Sequence, residues 1–504
     1  MENHFNLTSE CLEQWAEDKQ QKNKPAFTFI SDNSEQTWSY EELWKIINTI
    51  KQNIVNVVPD KHSKVLIRLP HSAEYAFCFF AAILADRIPI PASPDLTNDE
   101  IAFLLSDSGA LNVITNDIDK KYTKQVKLIT PLRLQQQVNN QAPFISDSKK
   151  EDPAFMVYTS GTTSKPKGVL HAHRTILGRK LMKAGWENFN SNQKVLHAGT
   201  LNWTYTLGVG VMDVWLAGGH AHLYNGEKKP EKWVSMIQQH NINIFVAVPT
   251  IYRQILKYTE IQKNQFTSLL YGLCSGEPLP VSTLQEWQNK VGTDLYEALG
   301  MTELSTYIST HQNIKIKPGS PGKAQPGRTI CILPENGDSK PLQSNEIGLL
   351  AVHKSDPGLM LGYWNRKEEE ELVFRGDWFI GGDIASIDEE DYVWFHGRSD
   401  EIIKSFGYRV SPIEIESVIA DLEEISEVAV FGKNIKDNKT LICAAVITNT
   451  IDDFDEEKIK TKLSKKLAKY KMPHIIKEID KLPRTRNGKI RRSILKEKFI
   501  AEVE

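Results

Sequence analysis

Cysteine is scarce in this sequence, and no long apolar segment or excess of one charge is present. The five cysteines contain no CxxC pair, which argues against a disulfide framework or a zinc site and predicts reduced thiols. A net charge of -3 gives no general reason to expect nucleic acid or a membrane surface as a partner. The polar N-terminus lacks the features of a signal peptide, and the apolar stretch 76–85 is too short to span a bilayer. We therefore expect a soluble, cytoplasmic protein.

The length of the chain predicts more than one domain. A chain of 504 residues exceeds what a single hydrophobic core usually supports. Hydrophobic residues make up 40% of the chain and charged residues 25%, as is ordinary for a globular protein. Basic residues concentrate near the C-terminus, in the stretch 481–498. A small, positively charged C-terminal domain that begins near residue 400 is therefore expected, although a solvated helix surface or a weak nucleic-acid patch would give the same charge pattern.

Helical and strand patterns alternate along the chain, which is typical of an α/β fold. Ser39 and Glu42 have the spacing of a capping box and predict a helix over 37–50. Short apolar runs at 64–69, 154–159 and 242–249 predict buried parallel strands.

The stretch YTSGTTSKPKG, residues 158–168, combines hydroxyl side chains, glycines and lysines. Such a composition is compatible with a solvated loop, or with a cradle that holds phosphate groups. The chain has no GxxxxGK[ST] pattern, which argues against a P-loop NTPase. Residues 164–167 fit the SxxK pattern of penicillin-binding enzymes, but the accompanying SDN and KTG boxes are missing. A predicted strand before the loop and a predicted helix after it, in GVLHAHRTIL, favour the phosphate cradle.

This stretch resembles the phosphate-loop signature of the adenylate-forming superfamily, which includes acyl-CoA synthetases, luciferases and peptide-synthetase adenylation domains. Later segments resemble further signatures of that superfamily in the same order: CSGEPL (274–279), ALGMTE (298–303), GLMLGYWN (358–365), WFIGGDIA (378–385), GRSDEIIKSFGYRVSPIEIE (397–416) and PRTRNGKIRR (483–492). The last two segments look most like the benzoate and medium-chain acyl-CoA ligase branch.

The resemblance implies a large multi-subdomain N-terminal domain of sheets and helices, residues 1–399, and a small mobile α+β C-terminal domain, residues 400–504. It implies an ATP-dependent acyl-CoA synthetase that uses ATP, Mg²⁺ and CoA. A homodimer is a further expectation, and no nucleic-acid partner is expected. The expected acid is medium-chain or aromatic. Two alternatives remain open: an acyl-AMP ligase that loads a separate carrier protein, and a non-catalytic protein that binds ATP or acyl groups.

The resemblance also implies roles for individual residues. The β- and γ-phosphates would be held by Thr159, Ser160, Gly161, Thr162, Thr163 and Lys167. Thr302 would contact the α-phosphate and Glu303 would ligate Mg²⁺, a cation that prefers carboxylate oxygen. Asp383 and Arg398 would bind near the ribose. The adenine would be framed by Gly276, Glu277 and Pro278, with Leu299 at a position where relatives commonly place an aromatic ring.

The C-terminal motifs supply the remaining implied roles. Lys489, after the turn-forming pair Asn487-Gly488, would reach the reacting carboxylate and phosphate as the catalytic lysine. Asp400 matches a hinge position, and Gly407 would lie beside the pantetheine tunnel, where the neighbouring Phe406 departs from the usual small or polar residue. A solvent-facing lysine in a basic strip is the alternative explanation for Lys489.

The acyl pocket is predicted from three residues. Trp203 and Met301 would line it, and Gly300 would leave open a volume that an indole fills in acetate-restricted relatives. Gly300 has a second explanation, the close approach of two backbone segments. Likewise Glu303 and Asp383 have purely structural alternatives, as a helix cap and as a turn residue. The pairs His171 and His173, and His220 and His222, together with Cys274, are expected to be packing residues.

Overall fold

The computed structural model describes residues 4–117, 125–136, 144–159, 166–262, 265–405, 408–434, 440–449, 454–484 and 490–499. The helices are α1 (Leu7–Glu17), α2 (Tyr40–Val57), α3 (Ala73–Leu84), α4 (Asn98–Ser108), α5 (Pro131–Gln135), α6 (Thr175–Met182), α7 (Thr204–Leu207), α8 (Asp213–Leu216), α9 (Pro230–Gln239), α10 (Pro249–Tyr258), α11 (Val281–Val291), α12 (Lys367–Leu372), α13 (Pro412–Ala420), α14 (Glu456–Leu463) and α15 (Arg492–Lys498). Single π-helical turns follow α6 and α7, at Lys183–Glu187 and Gly208–Met212, and a 3₁₀ turn covers Lys469–Lys471.

The strands are β1 (Pro25–Ser31), β2 (Glu35–Ser39), β3 (Lys64–Arg68), β4 (Ile88–Ala92), β5 (Asn112–Thr115), β6 (Lys127–Ile129), β7 (Pro153–Thr159), β8 (Lys167–Ala172), β9 (Lys194–His197), β10 (His220–Asn225), β11 (Ile244–Ala247), β12 (Tyr271–Ser275), β13 (Asp294–Met301), β14 (Ser305–Ser309), β15 (Lys323–Ala324), β16 (Ile330–Leu333), β17 (Gly348–His353), β18 (Gly362–Tyr363), β19 (Phe374–Arg375), β20 (Trp378–Ile387), β21 (Val393–Arg398), β22 (Ile403–Ser405), β23 (Tyr408–Val410), β24 (Ile425–Asn434), β25 (Thr440–Thr448) and β26 (Ile475–Glu478).

Two sheets form the body of the N-terminal part. The larger has nine strands in the order β15-β14-β13-β12-β11-β9-β10-β1-β2, and its central strands are parallel. The smaller is parallel throughout, in the order β4-β3-β5-β6. Between them lies a core to which α2 contributes Leu43, Ile47 and Ile50, while α3 is buried along its whole length. Parallel strands covered on both faces account for the continuous apolar runs in the sequence.

Smaller sheets complete the fold around the large sheet. Strands β7, β8 and β18 form one, and β16, β17, β19, β20 and β21 form another. Residues after 400 have cores of their own, in which α13 and α14 pack on the sheet β24-β25-β26. This arrangement of a large and a small α/β part confirms the predicted fold class.

The local sequence predictions had different outcomes. The predicted capping box is present, since Ser39 accepts a hydrogen bond from Glu42 N and Glu42 accepts one from Ser39 N. Strands β3 and β11 are parallel, as predicted. The prediction for 154–159 was wrong, because β7 pairs with β8 as an antiparallel hairpin. The segment after the phosphate loop was also predicted wrongly: GVLHA continues β8, and the helix begins only at Thr175.

Within the part of the chain that the structure describes, no helix combines the length and apolar character that crossing a membrane requires.

A buried ion pair fixes α6 against the following sheet. Arg328 Nη1 lies 2.8 Å from both carboxylate oxygens of Asp356, and Arg328 Nη2 donates to Gly178 O at 2.9 Å. The two side chains are 0% and 2% exposed. Removing one partner from such a pair leaves the other charge buried without compensation.

We expect Asp356→Ala to lower the free energy of unfolding by about 3–5 kcal/mol, because Arg328 then keeps a buried, unpaired charge. Chemical denaturation followed by circular dichroism measures this change. The matched control is Asp377→Ala, which breaks the exposed pair with Lys354 and should change stability little. Equal losses in the two variants would contradict the expectation.

Candidate functional site

The candidate site lies where two neighbouring parallel strands end. Strands β12 and β13 pair through Ser275 and Ala298, and the signatures 276–278 and 299–303 follow at the same edge of the sheet. Ligands of open α/β sheets bind at the carboxyl ends of the strands. Gly276, Pro278 and Gly300 are exposed there.

A tight turn at the end of β13 carries Thr302 and Glu303. Strand β13 pairs with the antiparallel β14 through Met301 and Ser305, so residues 302–304 form the hairpin loop. The chain therefore turns at Glu303 and does not start a helix, which removes the helix-cap explanation. Tyr363, on β18, donates from its hydroxyl to Glu303 Oε1 at 2.7 Å, and Met360 N donates to Glu303 O at 2.8 Å.

Lys167 lies on the other side of Tyr363. Its ammonium is 5.2 Å from the centroid of the Tyr363 ring and pairs with Glu369 of α12. Burial and the carboxylate of Glu303 raise the pKa of Tyr363, so its hydroxyl stays protonated and continues to donate. One tyrosine thus joins a candidate phosphate-binding cation to a candidate metal-binding carboxylate.

Asp383 and Arg398 face each other across the antiparallel strands β20 and β21. Arg398 Nη1 donates to Asp383 Oδ1 at 3.0 Å and to Gly381 O at 2.6 Å. Asp383 is 4% exposed, whereas 42% of the Arg398 side chain is exposed. A β-strand pairing accounts for the position of Asp383, and the guanidinium fixes its carboxylate.

The three predicted pocket residues do not share one environment. Trp203 lies over Gly276, since a Cβ at Gly276 would be 3.5 Å from its indole carbons. Met301 instead lies against Gly381, whose Cβ would be 2.7 Å from the Met301 sulfur. A Cβ at Gly300 would be 2.6 Å from Ser305 O. The close approach of β13 and β14 therefore supports the backbone explanation of Gly300 over open pocket volume.

Several predicted site residues fall outside the described residues: Ser160, Gly161, Thr162, Thr163, Gly407 and Lys489, together with Phe406. Strands β7 and β8 pair up to Thr159 and Lys167, so the phosphate loop is the connection of a hairpin. Arg484 and Ile490, on either side of the segment that contains Lys489, form an antiparallel bridge. Arg484 also lies 3.5 Å from Glu277 Oε1, within the predicted adenine segment.

The donor set fits a magnesium ion and a polyphosphate. Glu303 accepts the Tyr363 hydroxyl on Oε1, and its Oε2 accepts no hydrogen bond from any residue that the structure describes. An available carboxylate oxygen suits Mg²⁺, a hard cation. Lys167 and Arg398 supply positive charge within the same group of signatures.

Sequence reasoning missed two tyrosines of this site. Tyr363 lies within the quoted segment 358–365 but was assigned no role, although its position there was the available signal. Tyr307 of β14 is fully buried, and Asp383 and Glu303 are among the charges that, after burial, raise its pKa. Its hydroxyl has no hydrogen-bond partner among the described residues. No motif in the sequence pointed to Tyr307.

The predicted packing residues behave as packing residues. His171 stacks on Phe155 with ring centroids 4.6 Å apart, and His173 Nδ1 accepts a hydrogen bond from Leu7 N at 3.0 Å. All five cysteines are free and buried. Burial raises the pKa of the Cys274 thiol, which keeps it in the unreactive protonated form.

Two family models match the chain, the AMP-binding enzyme over residues 12–364 and the AMP-binding enzyme C-terminal domain over residues 414–489. The chain belongs to the AMP-binding enzyme family. The predicted superfamily is thereby confirmed.

Relatives match over almost the whole chain. The mitochondrial acyl-coenzyme A synthetase ACSM3 of Mus musculus is 29% identical, with 98% of this chain and 90% of that protein covered. The acetyl-coenzyme A synthetase of Bacillus subtilis (strain 168) is 29% identical with the same coverage. The crystal structure of ATP-bound MatB from Rhodopseudomonas palustris has a TM-score of 0.89 and 25% identity, with 99% of each chain covered.

A buried carboxyl supports the adenine segment. Glu297 Oε1 accepts a hydrogen bond from Leu279 N at 3.0 Å, directly after Pro278, and Glu297 is 9% exposed. Burial raises the pKa of Glu297 from 4.5 to about 7. The protonated form is therefore favoured by folding, and stability that is present below pH 4.5 is lost as the pH rises through about 7.

We expect Glu297→Gln to weaken the dependence of stability on pH, because glutamine keeps the carbonyl acceptor for Leu279 N and does not titrate. The melting temperature of the wild-type protein should fall relative to that of the variant between pH 5 and 8. Differential scanning calorimetry across that range measures the difference. Parallel pH profiles for the two proteins would contradict the assignment.

Proposed function

We propose that this protein activates a medium-chain or aromatic carboxylic acid as an acyl-adenylate and then transfers the acyl group to CoA. The broader class, an AMP-forming acid–CoA ligase that uses ATP, Mg²⁺ and CoA, is confirmed by the family match and by the nature of the relatives. The type of acid and the roles of individual residues are the content of the proposal.

One observation carries the proposed site: Tyr363 joins Lys167 and Glu303. The ammonium is 5.2 Å from the ring of Tyr363 and the carboxylate is 2.7 Å from its hydroxyl. A cation and an available carboxylate oxygen are thus held at the end of the hairpin β7–β8, whose connecting loop is rich in hydroxyls and glycines. This is the donor set that a triphosphate with its magnesium ion requires.

In the first half-reaction, an oxygen of the substrate carboxylate attacks the α-phosphorus of ATP, and the bond to the β-phosphate oxygen breaks to release pyrophosphate. Lys167 would bind the departing phosphates, Thr302 would donate to the α-phosphate, and Asp383 would accept the ribose hydroxyls. Bound Mg²⁺ would supply neutralisation of phosphate charge, with Glu303 as its ligand. In the second half-reaction, the CoA sulfur attacks the acyl carbon and AMP leaves.

The C-terminal part supplies the proposed catalytic lysine. Arg484 pairs with Glu427 at 2.7 Å within this part and contacts Glu277 of the adenine segment at 3.5 Å. Arg484 lies shortly before the segment that contains Lys489. Its two contacts therefore support a position of Lys489 near the nucleotide. The separate cores after residue 400 support a domain boundary between residues 399 and 400, with Asp400 as the hinge.

Transfer to a carrier protein and simple binding of ATP or acyl groups are the competing functions. A screen of carboxylic acids for pyrophosphate release separates the enzyme from a binding protein, and thioester formation with free CoA separates the CoA ligase from a carrier loader. If the protein binds ATP but releases pyrophosphate with none of the acids in the screen, the proposed function is overturned. The cytoplasmic location and the homodimer remain predictions, tested by cell fractionation and analytical ultracentrifugation.

We expect Lys489→Ala to slow acyl-adenylate formation by about two to three orders of magnitude, as for loss of one charge-stabilising donor. Thioester formation from supplied acyl-adenylate and CoA should largely survive. Both half-reactions are measured separately, by pyrophosphate release and by thioester yield. Lys496→Ala, at an exposed position of α15 in the same basic strip, is the control and should keep both rates. Equal loss of the two half-reactions in folded Lys489→Ala would contradict the role.

We expect Trp203→Ala to shift the preference toward longer acids, because the indole over Gly276 closes one wall of the proposed pocket. Each additional methylene accommodated is worth about 1–3 kcal/mol in transition-state binding. The measurement is kcat/KM for a series from butyrate to decanoate. Trp378→Ala, on β20 beside His353, removes an indole elsewhere and should leave the preference unchanged. An unchanged series in Trp203→Ala would exclude Trp203 from the pocket.

A further inference from the structure

Ser305 directly follows the turn 302–304, which carries Thr302 and Glu303. Its backbone conformation there is one that favours glycine or asparagine. Leu304 N donates to Met301 O at 3.3 Å, and Ser305 pairs with Met301 to close the three-residue loop. In such hairpins the residue after the turn has a positive φ. Ser305 has φ 76°, a conformation that costs a serine more than it costs glycine or asparagine. The side chain of Ser305 must therefore contribute something that glycine lacks.

That contribution is a hydrogen bond from a largely buried arginine. Arg179, on α6, donates from Nη1 to Ser305 Oγ at 2.9 Å. The remaining nitrogens of the same guanidinium bind Asp213, with Nε and Nη2 at 2.5 and 2.6 Å from its two carboxylate oxygens. Such a two-point contact fixes the plane of the guanidinium as well as its position. The Arg179 side chain is 12% exposed and that of Asp213 is 1% exposed.

Close packing alone does not hold this arginine. A cavity of about 380 Å³, lined in part by Arg179, Asp213, Glu187 and Trp15, lies on one side of it. A Cβ at Gly208, in the π-helical turn 208–212, would overlap Arg179 Nη2, so a side chain there would displace the guanidinium. Burial, followed by the charge of Asp213, raises the pKa of the neighbouring Glu187.

We propose that Arg179, oriented by Asp213, is a positioning residue that fixes the Thr302–Glu303 turn through Ser305 and ties it to the segment 203–213 that bears Trp203. This inference rests on the proposed roles of Thr302 and Glu303. It explains why a strained serine follows the two residues, and why Gly208 and Asp213 surround one guanidinium. The partners are 34 and 126 residues from Arg179 along the chain, so the contact joins three separate segments.

The decisive variant is Ser305→Gly, because glycine adopts φ 76° without strain while the acceptor for Arg179 is lost. We expect kcat for pyrophosphate release to fall about ten- to a hundredfold, the loss expected for one hydrogen bond to a charged group. The Mg²⁺ concentration for half-maximal rate should rise because the turn that carries Glu303 loses its contact with Arg179. KM for the acid should change little and the melting temperature should not fall. Ser305→Asn, which tolerates positive φ and keeps an oxygen acceptor, should recover most of the lost rate.

The matched control is Ser309→Ala on the same strand. Ser309 donates to Gly185 O at 2.6 Å and so also joins β14 to the segment after α6, but it lies away from the turn. We expect it to lower the melting temperature and to leave kcat unchanged. If Ser305→Gly keeps the wild-type kcat and Mg²⁺ dependence, or if Ser309→Ala lowers kcat as much, the positioning role is overturned. Loss of acid-dependent pyrophosphate release in Glu303→Gln tests the proposed function separately, so the two failures are distinguishable.

Discussion

The close approach of β13 and β14 is the constraint on which the candidate site depends. At Gly300 the two backbones are so near that a Cβ would meet the carbonyl of Ser305 at 2.6 Å. Because the strands come together there, the chain must reverse within residues 302–304, and Glu303 is presented at the edge of the large sheet. Lys167, on strand β8 of the hairpin β7–β8, lies near Glu303 because both side chains contact Tyr363. The rest of the fold holds these two hairpins in place.

The sequence predicts well those features that depend on neighbouring residues. The capping box of α2 needs only Ser39 and Glu42, three positions apart, and both of its hydrogen bonds form. A chain of motifs in a fixed order, from 158 to 492, likewise led to the family and to the α/β architecture before any geometry was known. Each motif is a short segment of neighbouring residues. The order of the motifs along the chain identifies the fold, and no knowledge of contacts between them is needed.

Features that depend on distant contacts were predicted poorly. A short apolar run does not reveal its pairing partner, so β7 was assigned to a parallel sheet although β8 follows it in a hairpin. The sequence allowed two explanations for Gly300, open pocket volume and the close approach of two backbone segments. The position of the Ser305 carbonyl favours the second. Tyr363 contacts Glu303 from 60 residues away, and nothing local marks such a partner. Long-range packing selects among the options that local sequence leaves open.

The ion pair between Lys167 and Glu369 has a consequence for the kind of anion that this site accepts. If Lys167 binds phosphate as proposed, the anion would have to displace the carboxylate of Glu369 and would be repelled by it. A singly charged ion gains little from that exchange. A polyphosphate gains from several donors at once, so it can replace the carboxylate where a small anion cannot. In the proposed site, Glu369 would therefore compete with small anions for Lys167 and would favour ligands that several donors bind at once.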